Sequence, residues 1–388
     1  MSVNHSRAVH VAAEFRPTRP SVGLVGTYPP TRCGIATFTA ALRDSLRCDC
    51  GVVASVDEPG CLPFGPEVIA ELVPGDDLSI AESAAALDRF DVVVLQHEFG
   101  IYGGHDGADV LQLVDLLAPP LIVVLHTVRR RPTRHQRTIV EELGAAAAAV
   151  IVQSEAARVW LLNEHDIDPG HVRVISHGAA RNIRPAERPL WGRPIILTWG
   201  LLGPDKGIEF AIDAVAALRD LHPMPRYIVR GQTHPRVIER EGERYRQRLE
   251  ARVRRLGAGD VVSFDDRYLT GAQVLAGIRE ADVVLLPYRS RDQVVSGVLV
   301  EAIASGKPVV ATSFPHAVEL LSVGSGLIVP HDDERAMEAA LRSLLTNPNL
   351  ADAARLVATR QASELSWTAV GRRYRETISA LAPVGAAR

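Results

Sequence analysis

The stretch DQVVSGVLVEAIASGKPVVAT, residues 292–312, reads as a loop, a short apolar helix and a buried strand. Ser296 is a fitting N-cap because its hydroxyl can accept from the first free amides of the helix. Gly306 suits the helix stop, and Pro308 opens a β-branched run expected to be a strand. The same alternation recurs along the whole chain. Strand-like runs fall at 22–26, 52–55, 91–96, 121–126, 149–153 and 172–176, and again at 195–199, 227–231, 261–264, 282–287, 308–312 and 327–330. Amphipathic helical stretches separate them, which predicts an α/β chain of doubly wound parallel sheets covered by helices on both faces. Both halves repeat the pattern, so 388 residues are expected to form two similar Rossmann-like domains facing each other across a cleft.

Within that helix stands one carboxylate, Glu301, flanked by Leu299, Val300, Ala302 and Ile303. A helix apolar nearly all round is buried, and a buried carboxylate needs partners. Two readings stay open: a neighbouring arginine or backbone amides satisfy Glu301, or it waits for the hydroxyls of a ligand.

Composition narrows the class. Hydrophobic content of 47%, charged content of 23% and a net charge of −3 describe a globular protein with no global attraction to nucleic acid. No apolar run reaches membrane-spanning length, and the opening residues 1–20 have no apolar signal core. They read as a disordered leader, and the chain is expected to be cytoplasmic. Cys33, Cys48, Cys50 and Cys61 lack the paired spacing of a zinc site and read as buried or incidental thiols. The pairs Asp265-Asp266 and Asp332-Asp333 read as turn and N-cap residues, so no protein-held metal is expected. Of 43 basic side chains only Lys206 and Lys307 are lysines. Lysine is a compact charge on a flexible stem, so its retention in two Gly- or Pro-containing loops hints at geometry. For Lys307 the hint is weaker, since it also suits a helix C-terminus.

The Pro- and Arg-rich ARNIRPAERPLWGRP, residues 180–194, has no strong periodicity and reads as the linker. Expected boundaries are therefore residues 21–185 for the first domain and 190–366 for the second. Ligands of such folds bind at the carboxyl ends of the strands, which selects the loops to inspect. Neither GTYPPTRCGIATFTAAL nor TWGLLGPDKGIEF contains GxGxxG, which counts against a nicotinamide or flavin enzyme. In the first, Gly34 precedes a helix whose free amides suit an anion, or is an ordinary turn glycine. In the second, Gly200, Gly203 and Gly207 bracket Lys206, which either binds phosphate or is solvated. His126 and His97 each end a strand as ligand or as structural histidine. The basic run VRRRPTRHQR suits a solvated loop, a phosphorylated acceptor or weak peripheral contact with an anionic lipid surface.

Taken in order, GTYPPTRCGIAT, VVLHTV, VIVQSEAAR, VISHG, TWGLLGPDKGIE, ADVVLLPY, SGVLVEAIASGKPVVAT and LSW resemble the retaining nucleotide-sugar glycosyltransferases of family 4. That resemblance implies the GT-B fold and a nucleotide-diphosphate sugar (GDP-mannose or a UDP-sugar) as co-substrate, with no tightly bound cofactor. It implies transfer of a hexose, mannose first, to a carbohydrate or other hydroxyl acceptor. It also implies a C-terminal helix, residues 367–381, that returns to the first domain. Glu301 would correspond to the second glutamate of the E-x7-E motif and bind the ribose hydroxyls. Lys206 would hold the diphosphate above Gly34 and Gly200, His126 would lie near the donor sugar, and the amides around Ser296 and Gly297 would face the phosphates.

Two positions depart from the motif. Gln293 replaces the first glutamate, and it cannot offer charge to a developing oxocarbenium ion. Leu201 replaces the arginine that follows the glycine, leaving Arg230 and Arg267 as candidates for the missing cation. These departures keep two other readings in view: a nucleotide-sugar epimerase using His97 and Glu98, and a catalytically degenerate binding protein.

Overall fold

The computed structural model describes residues 19–184 and 192–382. Most of the expected leader, the middle of the expected linker and the last six residues lie outside them. Among the described residues, thirteen strands form two sheets. The first contains β1 (Val22–Gly26), β2 (Cys50–Ser55), β3 (Val68–Leu72), β4 (Val92–His97), β5 (Leu121–Leu125), β6 (Ala149–Val152) and β7 (Val172–Val174). The second contains β8 (Ile195–Trp199), β9 (Arg226–Arg230), β10 (Val262–Asp265), β11 (Val283–Leu286), β12 (Val309–Thr312) and β13 (Gly326–Val329). Their orders are β3-β2-β1-β4-β5-β6-β7 and β10-β9-β8-β11-β12-β13, and the strands pair in parallel throughout the described residues. The strand order therefore reverses beside β1 in one lobe and beside β8 in the other, so the loops after β1, β4, β8 and β11 flank the crevices where ligands bind in such sheets.

All twelve expected strands are present with small shifts at their ends, and β3 was not anticipated. It is an edge strand that buries only Leu72 fully, and it pairs with β2 through a register shift at Val52/Val53. Its apolar run is only Val68, Ile69 and Ala70 before Glu71 interrupts it, too short to read as a buried strand. The central strands are the opposite case. Successive side chains of β4 enter different cores, Val93 and Leu95 on one face and Val92 and Val94 on the other. Burial on both faces is why those strands read as unbroken apolar runs.

The helix Trp367–Leu381 crosses back from the second lobe to the first. Ser366 caps it by accepting from the Ala369 amide at 3.2 Å, and Val370, Tyr374 and Ile378 complete the core over Phe38 and Leu42. The two crossing segments pair with each other, Ala179 donating to Leu365 O at 2.8 Å and accepting from Trp367 N at 3.1 Å. The helix lies so close to Gly34–Leu46 that a Cβ on Gly371 would sit 2.5 Å from Ser45 Oγ and 2.8 Å from its carbonyl oxygen. Gly371→Ala is therefore expected to lower unfolding stability by about 1–3 kcal/mol, because backbone cannot move aside as a side-chain tip does. Chemical denaturation checks this, and an unchanged midpoint would refute the close packing.

All four cysteines are free; Cys33, Cys48 and Cys50 are half-buried and Cys61 is exposed, so none is a core thiol as the sequence reading allowed. Cys33 has a definite role, its sulfur accepting from the Ala36 amide as N-cap of Gly34–Leu46. Among the acidic pairs, Asp333 caps Glu334–Thr346, Asp265 pairs with Arg267, and Asp332 pairs with Arg289 and Arg291. No helix among the described residues is long and apolar enough to cross a membrane.

Candidate active site

Glu301 lies in the helix Gly297–Ala304, which follows β11 at the switch point of the second sheet. Its Oε2 accepts from the Trp199 indole Nε1 at 3.0 Å. Trp199 ends β8, so the bond joins the two strands between which the order reverses. Among the described residues no cation reaches Glu301, and its Oε1 has no partner. Burial pushes its carboxyl pKa above the usual glutamate value, and the indole bond opposes that only in part. The open question from the sequence thus narrows: Glu301 is not neutralised by an arginine, and it keeps an acceptor oxygen for a guest.

Beside it, the loop after β8 folds back toward β11. A Cβ on Gly200 would meet the Val298 side chain at 3.7 Å, which sets this loop against the Glu301 helix. Lys206 closes a short 3-10 turn, Pro204–Lys206, with its Nζ 4.2 Å from the centre of the Tyr288 ring and 3.6 Å from Asp205 Oδ2. Burial disfavours the ammonium, but Tyr288 and Asp205 outweigh it and hold the pKa above the usual lysine value. Lys206 therefore stays charged. Tyr288 is itself fixed by stacking on Phe314 at 5.0 Å. Gly207 makes the turn, with φ +61 and only 2.0 Å between an added Cβ and Pro287 O. A side chain there is expelled by both strain and backbone contact.

The start of the Glu301 helix is a second positive feature. Ser296 caps it at the Leu299 amide, while the Ser296 N–H donates to His316 Nδ1 at 2.8 Å. The amides of Gly297 and Val298 have no partner among the described residues, and the helix dipole adds to their pull on an anion. His177, from the first lobe, donates through Nδ1 to Gly178 O at 2.7 Å, which leaves Nε2 bare; a Cβ on Gly297 would lie 3.1 Å from it. Burial pushes His316 down to about 3 and His177 down to about 4, so both imidazoles are neutral and Lys206 supplies the charge.

Residues 193–347 match the family described as glycosyl transferases group 1. The second lobe is a group 1 glycosyltransferase domain. The chain is an enzyme, a glycosyltransferase. Glycogen synthase from Mycobacterium tuberculosis is 28% identical over 371 residues, covering 89% of this chain and 82% of that protein. A D-inositol 3-phosphate glycosyltransferase from Kineococcus radiotolerans is 28% identical over 290 residues, 64% of this chain and 63% of that one. In fold, the chain is similar to Anabaena HepE in complex with UDP and glucose, with a TM-score of 0.75 at 17% identity over 93% of this chain and 100% of that one. Sucrose-phosphate synthase from Thermosynechococcus elongatus gives 0.71 at 18% identity, again over 93% and 100%. The two-lobed GT-B architecture is thus that of known glycosyltransferase structures.

The first lobe of the glycosyltransferase reaches this site through Phe38, whose ring meets His126, His177 and Trp367 edge-on at 4.8, 5.1 and 5.1 Å. Gly34 opens the same helix; an added Cβ would meet nothing within 4 Å, and the amides of Gly34 and Ile35 have no partner among the described residues. In the same loop Arg32 lies over the Tyr268 ring of the second lobe at 4.6 Å. His126 is held on both sides, Nε2 against Gln96 Oε1 at 2.9 Å and Nδ1 against Gln153 Nε2 at 3.2 Å. With burial and neighbouring histidines pushing it down to about 3, it is a neutral ring with no free nitrogen.

Three sequence candidates are placed less favourably. Gln293 turns back to Val295 O in its own loop, and Val294 and Val295 next to it pack into the first-lobe core. Arg267 is exposed and forks Asp265 through Nε and Nη2, both at 2.8 Å, so its charge is already matched. Arg230 lies 3.6 Å from Asp265 and 3.8 Å from Glu280. The pair His97–Glu98 does not form an acid/base couple either. His97 is fully buried and pushed down to about 4, while Glu98 accepts from the Thr127 hydroxyl and the Phe99 amide. Lys307 donates to Arg279 O and Ala281 O, at the end of the helix Gly271–Glu280, which explains its loop without a ligand.

Residues that sequence reasoning missed are Trp199, His177, His316 and Glu319. Trp199 and His177 stand inside the motifs TWG and VISHG, but only the pairing of distant strands reveals their partners. Glu319 joins the lobes, its two oxygens accepting from the Glu155 and Ala156 amides at 3.0 and 3.1 Å. It acts as a capping acceptor for Glu155–Glu164 supplied from the other lobe. Glu319→Ala is expected to cost about 0.5–2 kcal/mol, the usual worth of such a cap. A thermal melt checks it, and no change would mean that the interlobe bond carries no stability.

Proposed function

We propose that this glycosyltransferase moves a hexose from a nucleoside-diphosphate sugar to a hydroxyl acceptor, with retention at the anomeric carbon as the family 4 resemblance implies, and does so in the cytoplasm. The observation that carries this reading is Glu301: a partly buried carboxylate, held by one indole N–H, with an acceptor oxygen left over beside the Lys206 turn. Two adjacent ribose hydroxyls are the donors such an acceptor-only group suits. Lys206 and the free amides at Gly297 and Val298 then face the diphosphate, with Gly200 giving the backbone room. As the anomeric carbon becomes cationic, negative charge grows on the leaving diphosphate, and these preorganised donors stabilise it.

Retention needs no protein base if the acceptor attacks the departing face and the diphosphate oxygen takes its proton. That fits a site whose histidines are all neutral and whose Gln293 carries no charge. In this reading residues 21–185, completed by 367–381, take the acceptor, and residues 190–366 take the donor. The lobes already touch through Glu319, Val294 and Arg32, so closure excludes water and limits donor hydrolysis.

The donor decides between two versions. The family resemblance puts mannose from GDP-mannose first, whereas HepE is seen with UDP-glucose. A thermal-shift comparison of UDP-glucose, GDP-mannose and the free nucleotides tests both. A donor at a hundred times its dissociation constant stabilises by about 2.7 kcal/mol, and Lys206→Ala is expected to abolish the shift. If no sugar nucleotide shifts the wild type, the reading is wrong. Release of an isomerised sugar nucleotide without any acceptor would favour an epimerase instead.

A further inference from the structure

Three metal-ligating side chains meet at the rim of the first lobe, apart from the residues described above. His105 and Asp106 lie in the loop after β4, and His135 in the first turn of the helix Arg134–Ala146 after β5. His105 Nδ1 and His135 Nδ1 are 2.9 Å apart, and Asp106 Oδ2 is 3.4 Å from the first and 3.3 Å from the second. We propose that His105, Asp106 and His135 form a binding site for a zinc-class divalent cation.

No arrangement of protons makes a separate two-centre hydrogen bond of each of these three contacts. If both ring nitrogens carry a proton toward the carboxylate, two N–H groups oppose each other at 2.9 Å. If only His135 carries the proton, that proton is split between His105 Nδ1 and Asp106 Oδ2, and the bare His105 nitrogen faces the carboxylate oxygen at 3.4 Å with no proton between them. A single cation accepts all three lone pairs at once. The spacing is right for it, since ligand bonds of about 2.0–2.1 Å to a tetrahedral zinc put neighbouring donors about 3.3 Å apart. Two imidazoles and one carboxylate are ligands that zinc takes in sites with a fourth position left open.

The surroundings hold the set in place. Gln136 donates from Nε2 to Asp106 Oδ1 at 3.1 Å, while its Oε1 accepts from the Thr133 amide in the capping box of the same helix. Both ends of that amide are thus used, and the second carboxylate oxygen is oriented as ligating carboxylates usually are. Asp106 adopts φ +54, a conformation few non-glycine residues take and aspartate tolerates. The side chains of His105 and His135 are 76% and 42% exposed, so a cation can enter from solvent. Bound there, it would tie the loop after β4 to the helix after β5, on the side of the sheet that faces the cleft. The basic run that reads only as a local charge patch contains His135, so part of it would have a ligating role.

The test uses the full-length, untagged protein after chelator treatment, with Co2+ as a coloured stand-in for Zn2+. One equivalent of Co2+ is expected to give visible absorption of tetrahedral intensity, to be displaced by one equivalent of Zn2+, and to raise the melting temperature. His105→Ala and His135→Ala should abolish the signal and the shift, with circular dichroism confirming that both still fold. Gln136→Ala, a positioning change, should weaken affinity about 10- to 100-fold. His171→Ala, an exposed histidine beside Asp168, should leave binding intact. Absence of stoichiometric binding, or binding that survives in His135→Ala, overturns the assignment. Neither readout depends on glycosyl transfer, so the site and the catalytic reading stand or fall separately.

Discussion

Replacing Lys206 by alanine is expected to lower kcat/KM for the sugar-nucleotide donor by about 10²–10³-fold, the usual loss when one preorganised donor to a developing oxyanion is removed. The reason is how the ammonium is held. It sits over the Tyr288 ring and beside Asp205, and it ends a turn that Gly207 alone can complete. Nothing in that arrangement needs to reorganise as the diphosphate leaves, so the full charge is available when it is needed. Leu201 leaves Lys206 without the arginine that shares this role in the resembled family, and neither candidate among the described residues is free to replace it: Arg267 forks Asp265, and Arg230 stands between Asp265 and Glu280. The loss should therefore fall at the severe end of the range. Lys206→Arg keeps the charge but puts a planar fork where a compact ammonium fits over the ring, and it should recover only part of the rate. Steady-state kinetics with saturating acceptor measure both variants. A Lys206→Ala enzyme within threefold of wild type would falsify the role.

The sequence made the architecture readable because buried parallel strands carry their signal locally. β8, IILTW, and β12, VVAT, are apolar on both faces, and the glycine and proline residues around them mark where each ends. β3 was lost for the same physical reason, since an edge strand that buries only Leu72 fully has no such unbroken signature. At the site, Glu301 and Lys206 stood out because a carboxylate in an apolar helix and one of only two lysines among arginines break local patterns. What could not be read is pairwise geometry. That Trp199 holds Glu301 depends on β8 lying next to β11, 87 residues further on in register terms from Ile196 to Val283. That His126 has no free nitrogen depends on Gln96 and Gln153, from the strands on either side of β5. A sequence shows that a histidine ends a strand; only the sheet shows what already holds it.

This distinction bears on how the two lobes share the work. The second lobe supplies charge and acceptors, through Lys206, the Gly297 helix and Glu301. The first lobe supplies neutral rings and tight packing, through Phe38, His126 and His177. In the proposed reading, uncharged imidazoles would neither compete with Lys206 for the diphosphate nor repel a cationic anomeric carbon. The burial that pushes all of them down is thus part of the electrostatic design as well as of the fold.

Glu301 gives the second large effect, and two substitutions separate its charge from its shape. Glu301→Gln keeps the side-chain length and can still accept from the Trp199 indole, so the helix should be undisturbed. What it loses is the charge and, with its one oxygen on the indole, the second acceptor, because an amide NH2 then faces the ribose hydroxyls; hydrogen bonds to a charged acceptor are worth about 1.5–3 kcal/mol. The donor KM should rise about 10- to 100-fold, with kcat less affected, because the ribose is bound alike in ground and transition states. Glu301→Ala also strands the indole N–H and should lose more in both constants. The pH profile adds an independent readout. Burial raises the Glu301 pKa, and only the ionised form accepts from both hydroxyls, so donor binding should weaken as pH falls through a value above the usual glutamate range. That acid limb should vanish in Glu301→Gln, which has nothing to protonate. If donor affinity in Glu301→Gln and wild type is the same across the whole range, the carboxylate does not touch the nucleoside, and the bond to Trp199 is simply how the helix is anchored to the sheet.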